Sequence, residues 1–292
     1  MALNKIPADT RAGDREVGEA LSTRSQWHFT GSVPENYERY GVPTIFAPWA
    51  DDFVDMAALQ PGERVLDIAC GTGIVARTVA RRLGSGAGVV GLDLSAPMLA
   101  VARTAAAADG MKIEWREGSA SQLPSADEVF DVVFCQQGLQ FFPDRPAALR
   151  EMYRVLAPGG KLVLSVWRGI ERSPGFAALA QALARHIGPE AGAMMTSGPY
   201  ALSDMQELRS LIAGASFRGI TIRPGVKTMR YPSPDEFVLR CAAGSPWGDV
   251  LASAEDRVRT ELLAEIGAKL QSYIDENGLA LPIESNIVSA RR

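Results

Sequence analysis

The chain has 292 residues, 47% of them hydrophobic and 22% charged, which is the composition of an ordinary globular protein. Its net charge is -4 and its Lys and Arg residues are scattered, so we expect no nucleic-acid partner. Three widely spaced cysteines argue against a disulfide framework, and neither a signal peptide nor an apolar run of about 18 residues is visible. These features predict a cytoplasmic protein without membrane insertion.

The N-terminal part is predicted to be helical after a polar start. Residues 1–30 are polar and contain two glycines. Residues 34–59 have helical character, and Pro43 and Pro48 are expected to interrupt the helix because proline lacks the N–H donor.

Strands and helices alternate beyond residue 59. Short apolar runs are typical of buried strands, and longer segments opened by Gly or Pro are typical of helices. The alternation predicts βαβ units and a parallel, doubly wound core at residues 60–168. The predicted strands are 64–68, 89–92, 112–116, 129–135 and 161–166, and the predicted helices are 74–83, 97–108 and 146–156.

The composition changes after Trp167. Residues 170–215 are predicted to be helical, with breaks at Pro and Gly. A strand is predicted at 220–229, helices at 237–241 and 253–275, and a final strand at 284–290.

A glycine turn carries the strongest functional signal. Gly71-Thr72-Gly73 follows a predicted strand and opens a helix, so its backbone can approach a ligand at the helix N-terminus. Asp93 ends the next strand, about 20 residues beyond Gly73, where a carboxylate can accept both hydroxyls of a ribose. The same spacing also fits the dinucleotide fingerprint of NAD enzymes.

Asp67 favours a different cofactor over NAD. It lies near the end of the strand that precedes the turn. A buried carboxylate there would repel a pyrophosphate. It would attract the ammonium group of S-adenosylmethionine (SAM), directly or through water.

The segment at residues 65–73, VLDIACGTG, resembles motif I of the class I SAM-dependent methyltransferases. Residues 90–95, 130–135 and 154–162 resemble the motifs that follow it in that superfamily, in the same order. The chain is most similar to the branch with the ubiquinone/menaquinone C-methyltransferases and many natural-product methyltransferases. The resemblance covers residues 30–168.

The resemblance implies a Rossmann-like α/β fold with three α/β/α layers. The sheet is expected to be doubly wound and mostly parallel, with an antiparallel final strand and helical cap insertions. Residues 1–59 would form a helical flap over the cofactor and 60–168 the SAM-binding core. Residues 169–292 would supply the cap, the substrate region and the final strands.

The resemblance also implies a set of cofactor-binding residues. Met98 stands where the family often has an apolar adenine contact. Gly118-Ser119-Ala120 departs from the common Gly-Asp-Ala, so the adenine bond would come from a shorter serine, directly or through water. The residues expected to bind SAM are Tyr37, Asp67, Ala69, Gly71, Gly73, Asp93, Leu94, Met98, Gly118, Ser119, Ala120 and Gln136.

No catalytic residue stands out. His28, in the aromatic cluster Trp27-His28-Phe29, is a candidate general base, and Gln137 and Gln140 are candidate substrate contacts beyond the fourth strand. A lone His is more often structural or exposed than catalytic, and the glutamines could instead cap backbone groups of the loop. No cluster of His, Cys and acidic residues has metal-ligand spacing, so no metal is expected.

These features predict transfer of a methyl group from SAM to a nitrogen, oxygen, sulfur or carbon atom of a small molecule, with S-adenosylhomocysteine (SAH) as product. The signature motifs of several nucleic-acid methyltransferases are missing. A moderately hydrophobic acceptor would suit the apolar residues after Trp167, although core packing explains them equally well.

Three alternatives remain: a methyltransferase for tRNA or protein, an NAD-dependent oxidoreductase, and a non-catalytic SAM-binding protein. A monomer or a homodimer is expected. The apolar residues after Trp167 that would suit a moderately hydrophobic acceptor are Phe176, Met194, Met195, Tyr200, Phe237 and Trp247.

Overall fold

The computed structural model describes residues 30–84 and 88–292. Its first element is one continuous helical segment rather than the interrupted helix that the two prolines predict. Helix α1 (Val33–Asn36) runs into a π-helix (Tyr37–Phe46) and then into α2 (Ala47–Ala57). Pro43 lies inside the wider π-helical turn, and Pro48 lies in the first turn of α2, where a missing N–H costs nothing.

The core alternates strands and helices as predicted. The carboxyl ends of most of the parallel strands lead into a loop and then into a helix, whereas the third strand is joined to the fourth by a loop alone. Ser95 and Asp144 cap two of these helices, because their side-chain oxygens accept bonds from backbone N–H groups of the first turn. The elements are β1 (Arg64–Ile68), α3 (Ile74–Leu83), β2 (Gly88–Asp93), α4 (Ala96–Ala108), β3 (Glu114–Glu117), β4 (Phe130–Gln136), α5 (Arg145–Val155) and β5 (Leu156–Trp167).

The remaining chain forms a helical cap and the last strands. The expected helix at 253–275 ends earlier, at Leu270, and its last residues form a short strand. The elements are α6 (Pro174–His186), α7 (Pro189–Ser197), α8 (Met205–Gly214), β6 (Arg218–Tyr231), α9 (Pro234–Ala243), α10 (Gly248–Ala252), α11 (Asp256–Leu270), β7 (Ile274–Asp275) and β8 (Gly278–Arg291).

The main sheet has the strand order β3-β2-β1-β4-β5-β8-β6. Strands β1 to β5 pair in parallel, and β8 is antiparallel to both of its neighbours. This arrangement confirms the prediction of a mostly parallel sheet with an antiparallel final strand. The order reverses at β1 and β4, which creates a crevice at their carboxyl ends.

Strands β6 and β8 form an arm that continues past the end of β5. The pairing of β5 with β8 stops at Trp167 and Ser285, whereas β6 and β8 stay paired as far as Tyr231 and Leu279. The predicted final strand, 284–290, lacks this N-terminal extension. The arm brings the end of β6 to the cap.

Two separate hydrophobic cores cover the two faces of the sheet, which confirms the three-layer architecture. One contains Trp49 and Phe53 of α2 together with residues of α3 and the cap helices. The other contains Met152 of α5 and Ile212 of α8. Within the parts that the structure describes, no helix is both long and apolar enough to cross a membrane.

Candidate functional site

A cavity of about 750 Å³ lies at the carboxyl ends of the central strands, between the core, the N-terminal helical segment and the cap. Its core side is formed by the loops after β1, β2, β3 and β4. Its opposite side is apolar and aromatic and belongs largely to the cap. The apolar cap-side wall includes Trp167, Phe176, Met195, Tyr200, Tyr231 and Trp247.

The turn after β1 depends on glycine for two different reasons. Gly71 has φ 55° and lines the cavity, so a side chain there would be strained and close to any ligand. Gly73 has φ 84°, and a Cβ at this position would overlap the Trp115 ring. Gly73 does not line the cavity, so its role is to let the turn pack against Trp115.

Asp93 ties the glycine turn to the end of β2. Its Oδ2 accepts a bond from the Gly71 N–H at 2.8 Å, and its Oδ1 accepts one from the Ser95 N–H at 2.8 Å. Burial raises the pKa of Asp93, and backbone bonds from Ser95, Gly71 and Leu94 oppose that rise. A carboxylate has about four acceptor sites, and three backbone donors leave at least one free, so Asp93 on the cavity wall can still accept a hydroxyl group of a ligand.

The Asp67 side chain is hydrogen-bonded to helix α3 and does not line the cavity. Its Oδ2 accepts a bond from the Ala76 N–H at 3.0 Å, its Oδ1 has no hydrogen-bond partner, and it does not line the cavity. Burial, with a smaller contribution from Asp93, raises the pKa of Asp67 to about 8. Asp67 therefore lies behind the cavity wall, and its contact with a ligand ammonium, directly or through water, stays a prediction. Its raised pKa favours the neutral acid, which weakens the case that its charge would repel a pyrophosphate.

The N-terminal helical segment covers the glycine turn and is anchored to α3. The Tyr37 ring lies over Gly71, where an added Cβ would be 3.7 Å from the ring. Burial and the nearby Asp93 raise the pKa of Tyr37, so its hydroxyl keeps its proton. Glu38 forms a 2.7 Å ion pair with Arg77, whose side chain is almost fully buried. We call residues 33–46 the flap.

Gln136, at the end of β4, presents a free acceptor next to the flap. Its Nε2 donates to the Phe46 carbonyl at 2.9 Å. Its Oε1 is buried without a hydrogen-bond partner, and the residue lines the cavity. An unpaired buried acceptor at this place suits a donor supplied by a ligand, such as an ammonium group.

Gln137 and Gln140 belong to a buried amide chain. The Gln137 backbone has φ 55°, and its Nε2 donates to Ser285 Oγ at 2.9 Å. The Gln140 Nε2 donates to the Gln137 Oε1 at 3.3 Å. Gln137 lines the cavity and Gln140 does not, so of these two only Gln137 can contact a ligand in the cavity.

The loops after β2 and β3 form the remaining core-side wall. Leu94 is 58% exposed and Met98 is buried, and both line the cavity. Ser119 lies on the same wall, and its Oγ accepts a bond from the Ser121 N–H at 3.2 Å. This wall combines apolar contact with small hydroxyl groups, a combination that suits a flat heteroaromatic ring.

The structure thus brings most of the predicted cofactor residues to one cavity. Asp67 and Gly73 stand behind its wall, and His28 lies outside the described residues. In the parts that the structure describes, no group of His, Cys, Asp and Glu side chains could hold a metal ion. The predicted residues that line the cavity are Tyr37, Ala69, Gly71, Asp93, Leu94, Met98, Gly118, Ser119, Ala120, Gln136 and Gln137.

The cap side was only partly predictable. Phe176, Met195, Tyr200 and Trp247 line the cavity, whereas Met194 and Phe237 do not. Further residues that line the cavity were not predicted, because local sequence patterns do not reveal which side chains from three separate elements meet. These residues include Ile45, Phe46, Trp167, Tyr231, Arg240 and Cys241.

Comparison with known proteins finds matches centred on the core. The methyltransferase domain family matches residues 65–160. The chain is 45% identical over 116 residues to a demethylmenaquinone methyltransferase of Thermus thermophilus, covering 40% of this chain and 52% of that protein. It is 40% identical over 124 residues to a ubiquinone biosynthesis O-methyltransferase of Hahella chejuensis, covering 42% and 50%. The chain spans about half the length of these curated relatives.

Solved structures extend the likeness to the whole fold. Phosphoethanolamine N-methyltransferase 2 of Haemonchus contortus, solved with phosphomonomethylethanolamine and SAH, matches with a TM-score of 0.59 at 20% identity. The match covers 93% of this chain and 59% of that one. The domain match shows that residues 65–160 of this chain form a methyltransferase domain, and the strand order and the glycine turn tied to Asp93 agree with its resemblance to the class I SAM-dependent superfamily.

Proposed function

We propose that this chain is an enzyme that transfers a methyl group from SAM to a small-molecule acceptor and releases SAH. One observation carries the proposal. The Asp93 carboxylate and the Gly71 turn meet in a cavity that continues without interruption into an apolar cap-side wall. A cofactor and an acceptor can therefore lie next to each other in one enclosed space.

The residues present fit SAM. Asp93 would accept the ribose hydroxyls, and Leu94, Met98 and Ser119 would enclose the adenine. The unpaired Gln136 Oε1 would accept the ammonium group, with Tyr37 as the cover over the turn. The fit rests on an unpartnered buried acceptor and on a carboxylate with free lone pairs.

The protein's main task would be alignment and exclusion of water. When bound, SAM supplies an electrophilic methyl group, and the acceptor's nucleophile takes that carbon while the bonding pair stays on the sulfur of SAH. The flap and the cap line the cavity opposite the core-side loops, which would reduce the access of water to the methyl group. Among the described lining residues, the acidic ones (Asp93, Glu117 and Asp144) come from the core-side loops. The cap side therefore offers no carboxylate base, and the acceptor would bind ready to react or lose its proton to a core-side group.

A small acceptor is favoured over a macromolecule. The cavity lies beneath the flap and the cap, and its cap-side wall is rich in aromatic rings. The net charge of -4 does not favour nucleic acid. The similar curated proteins are named as methyltransferases of demethylmenaquinone and of ubiquinone biosynthesis, which supports a small, moderately hydrophobic acceptor.

Two further parts of the proposal concern the state of the protein. A cytoplasmic location is supported by its three cysteines, which are all free and buried. The monomeric or homodimeric state stays a prediction.

Calorimetry on the purified chain tests the proposal. SAM and SAH should bind with one site per chain, and NAD should not bind. Binding of NAD without SAM would show that the dinucleotide alternative is right. Turnover of tritiated SAM by a panel of small phenols, amines and quinols then separates an enzyme from a non-catalytic SAM-binding protein, and parallel assays with tRNA and protein test the macromolecular alternative.

A further inference from the structure

The cap side of the cavity carries a cluster of two phenols and a thiol: Tyr200, Tyr231 and Cys241. We call it the hydroxyl–thiol cluster. All three residues line the cavity, although they come from the segment after α7, from the end of β6 and from α9. The Tyr231 Oη lies 3.5 Å from the Cys241 Sγ, which also interacts electrostatically with Tyr200. The fold thus collects polar hydrogens at one place in a largely apolar wall.

The two phenol rings are held rigidly by a stack of aromatic side chains. The centroid of the Tyr231 ring is 5.3 Å from that of Phe237, which is fully buried behind the wall. The Phe176 ring lies 5.5 Å from Phe237 and 6.2 Å from Tyr200. The two contacts of Phe237 are edge-to-face and the contact between Phe176 and Tyr200 is tilted. Such packing restricts the rings and so helps to preorganise the hydroxyl groups.

All three groups carry their hydrogens at neutral pH. Burial raises the pKa of Tyr200 and of Tyr231 above the ordinary value for a phenol. Burial also raises the pKa of Cys241 to about 12, so this thiol is not a nucleophile. The charged side chain nearest in sequence, Arg240, is paired with Glu236 at 2.6 Å. The cluster therefore presents neutral donors rather than a base or an ion-binding site.

We propose that the hydroxyl–thiol cluster anchors an oxygen atom of the methyl acceptor, with Tyr231 as the donor and Cys241 as the residue that orients it. Either atom of the Tyr231–Cys241 pair can be the donor. With an acceptor oxygen bound, the Cys241 thiol would donate to the Tyr231 oxygen, which frees the Tyr231 O–H to donate to the ligand. This inference rests on the proposed function and names its acceptor class: a compact, uncharged aromatic molecule with a hydroxyl or carbonyl oxygen. The surrounding rings provide the flat apolar contact that such a molecule needs.

Equilibrium dialysis with 2-naphthol and naphthalene tests the anchor, because the two probes differ by one oxygen. On the chain saturated with SAH, we expect 2-naphthol to bind about fivefold more tightly, the effect of one net hydrogen bond. Tyr231→Phe should remove this preference and leave naphthalene and SAH binding unchanged. The matched control is Tyr153→Phe, which removes a phenol hydroxyl that does not line the cavity and should keep the preference.

A second pair of variants guards against a folding defect in Tyr231→Phe. Cys241→Ala should weaken the preference for 2-naphthol, and Cys241→Ser should restore it, because a serine hydroxyl can donate to Tyr231 in the same way. A chain that does not bind SAH contradicts the proposed function itself. If SAH binds, the inference alone is overturned when 2-naphthol is not preferred over naphthalene, when neither probe binds, or when the preference survives in Tyr231→Phe.

Discussion

The Gly71 amide donates to the Asp93 carboxylate at 2.8 Å, across the gap between the turn after β1 and the end of β2. The same carboxylate accepts the Ser95 N–H, so it holds two loops in place while facing the cavity. One side chain therefore shapes the cofactor site and also contacts the ligand that we propose. Both roles are lost together when the carboxylate is removed.

Asp93→Ala should weaken SAH binding by about tenfold to a hundredfold, the effect of losing hydrogen bonds to a charged acceptor. Titration calorimetry measures the change. Asp109→Ala is the matched control, because Asp109 is exposed and forms only a 4.0 Å surface ion pair with Arg81. An Asp93→Ala chain that binds SAH within twofold of the wild type would contradict the assignment of Asp93.

Gly73→Ala should destabilise the fold because its Cβ would overlap the Trp115 ring and its backbone is left-handed. We expect a loss of about 2–4 kcal/mol in the free energy of unfolding, measured by urea denaturation. Gly110→Ala is the matched control: Gly110 has φ 67°, and nothing lies within 4 Å of an added Cβ. Its loss should be about 1–2 kcal/mol, the backbone cost alone. Equal losses in the two variants would refute a packing role for Gly73.

The Glu38–Arg77 pair should hold the flap on α3. Arg77→Met leaves the Glu38 carboxylate half-buried without its partner, so the free energy of unfolding should fall by about 3 kcal/mol. The double variant Glu38→Gln with Arg77→Met should recover most of that loss, because the unpaired charge is gone. A double-mutant cycle in urea measures the coupling, and additive effects would show that the pair does not anchor the flap.

Stability should depend on pH through Asp67. Its pKa is about 8 in the fold and near its ordinary value of about 4 in the unfolded chain, so the folded state binds the proton more tightly. Between about pH 4 and pH 8 its contribution to stability therefore becomes less favourable as the pH rises. Asp67→Asn retains an oxygen for the Ala76 N–H but does not titrate. Relative to wild type, this variant should gain stability steadily from pH 4 to pH 8, as followed by thermal unfolding. A constant difference over that range would show that Asp67 is ionised throughout.

The core could be predicted closely because its signals are local. The predicted strand at 64–68 and helix at 74–83 coincide with β1 and α3, and the glycine turn lies between them as expected. The prediction was less accurate where pairing with a distant strand extends an element. Strand β8 begins at Gly278 rather than at residue 284, because it gains its first partners from β6. The predicted division of the chain by role into residues 1–59, 60–168 and 169–292 stays a prediction.

The amino-acid sequence alone determined the α/β core, the strand-turn-helix around Gly71 and the carboxylate at Asp93, because periodicity and turn chemistry act over a few residues. Only the tertiary structure decided the direction of the Asp67 side chain, since its partner, Ala76, lies on a helix packed against its own strand. The same holds for Tyr231 and Cys241, whose positions on the cavity wall depend on the insertion of β8 between β5 and β6. Side chains that meet across separate elements leave no periodic pattern in the chain. The cap side of this cavity is formed by side chains of this kind.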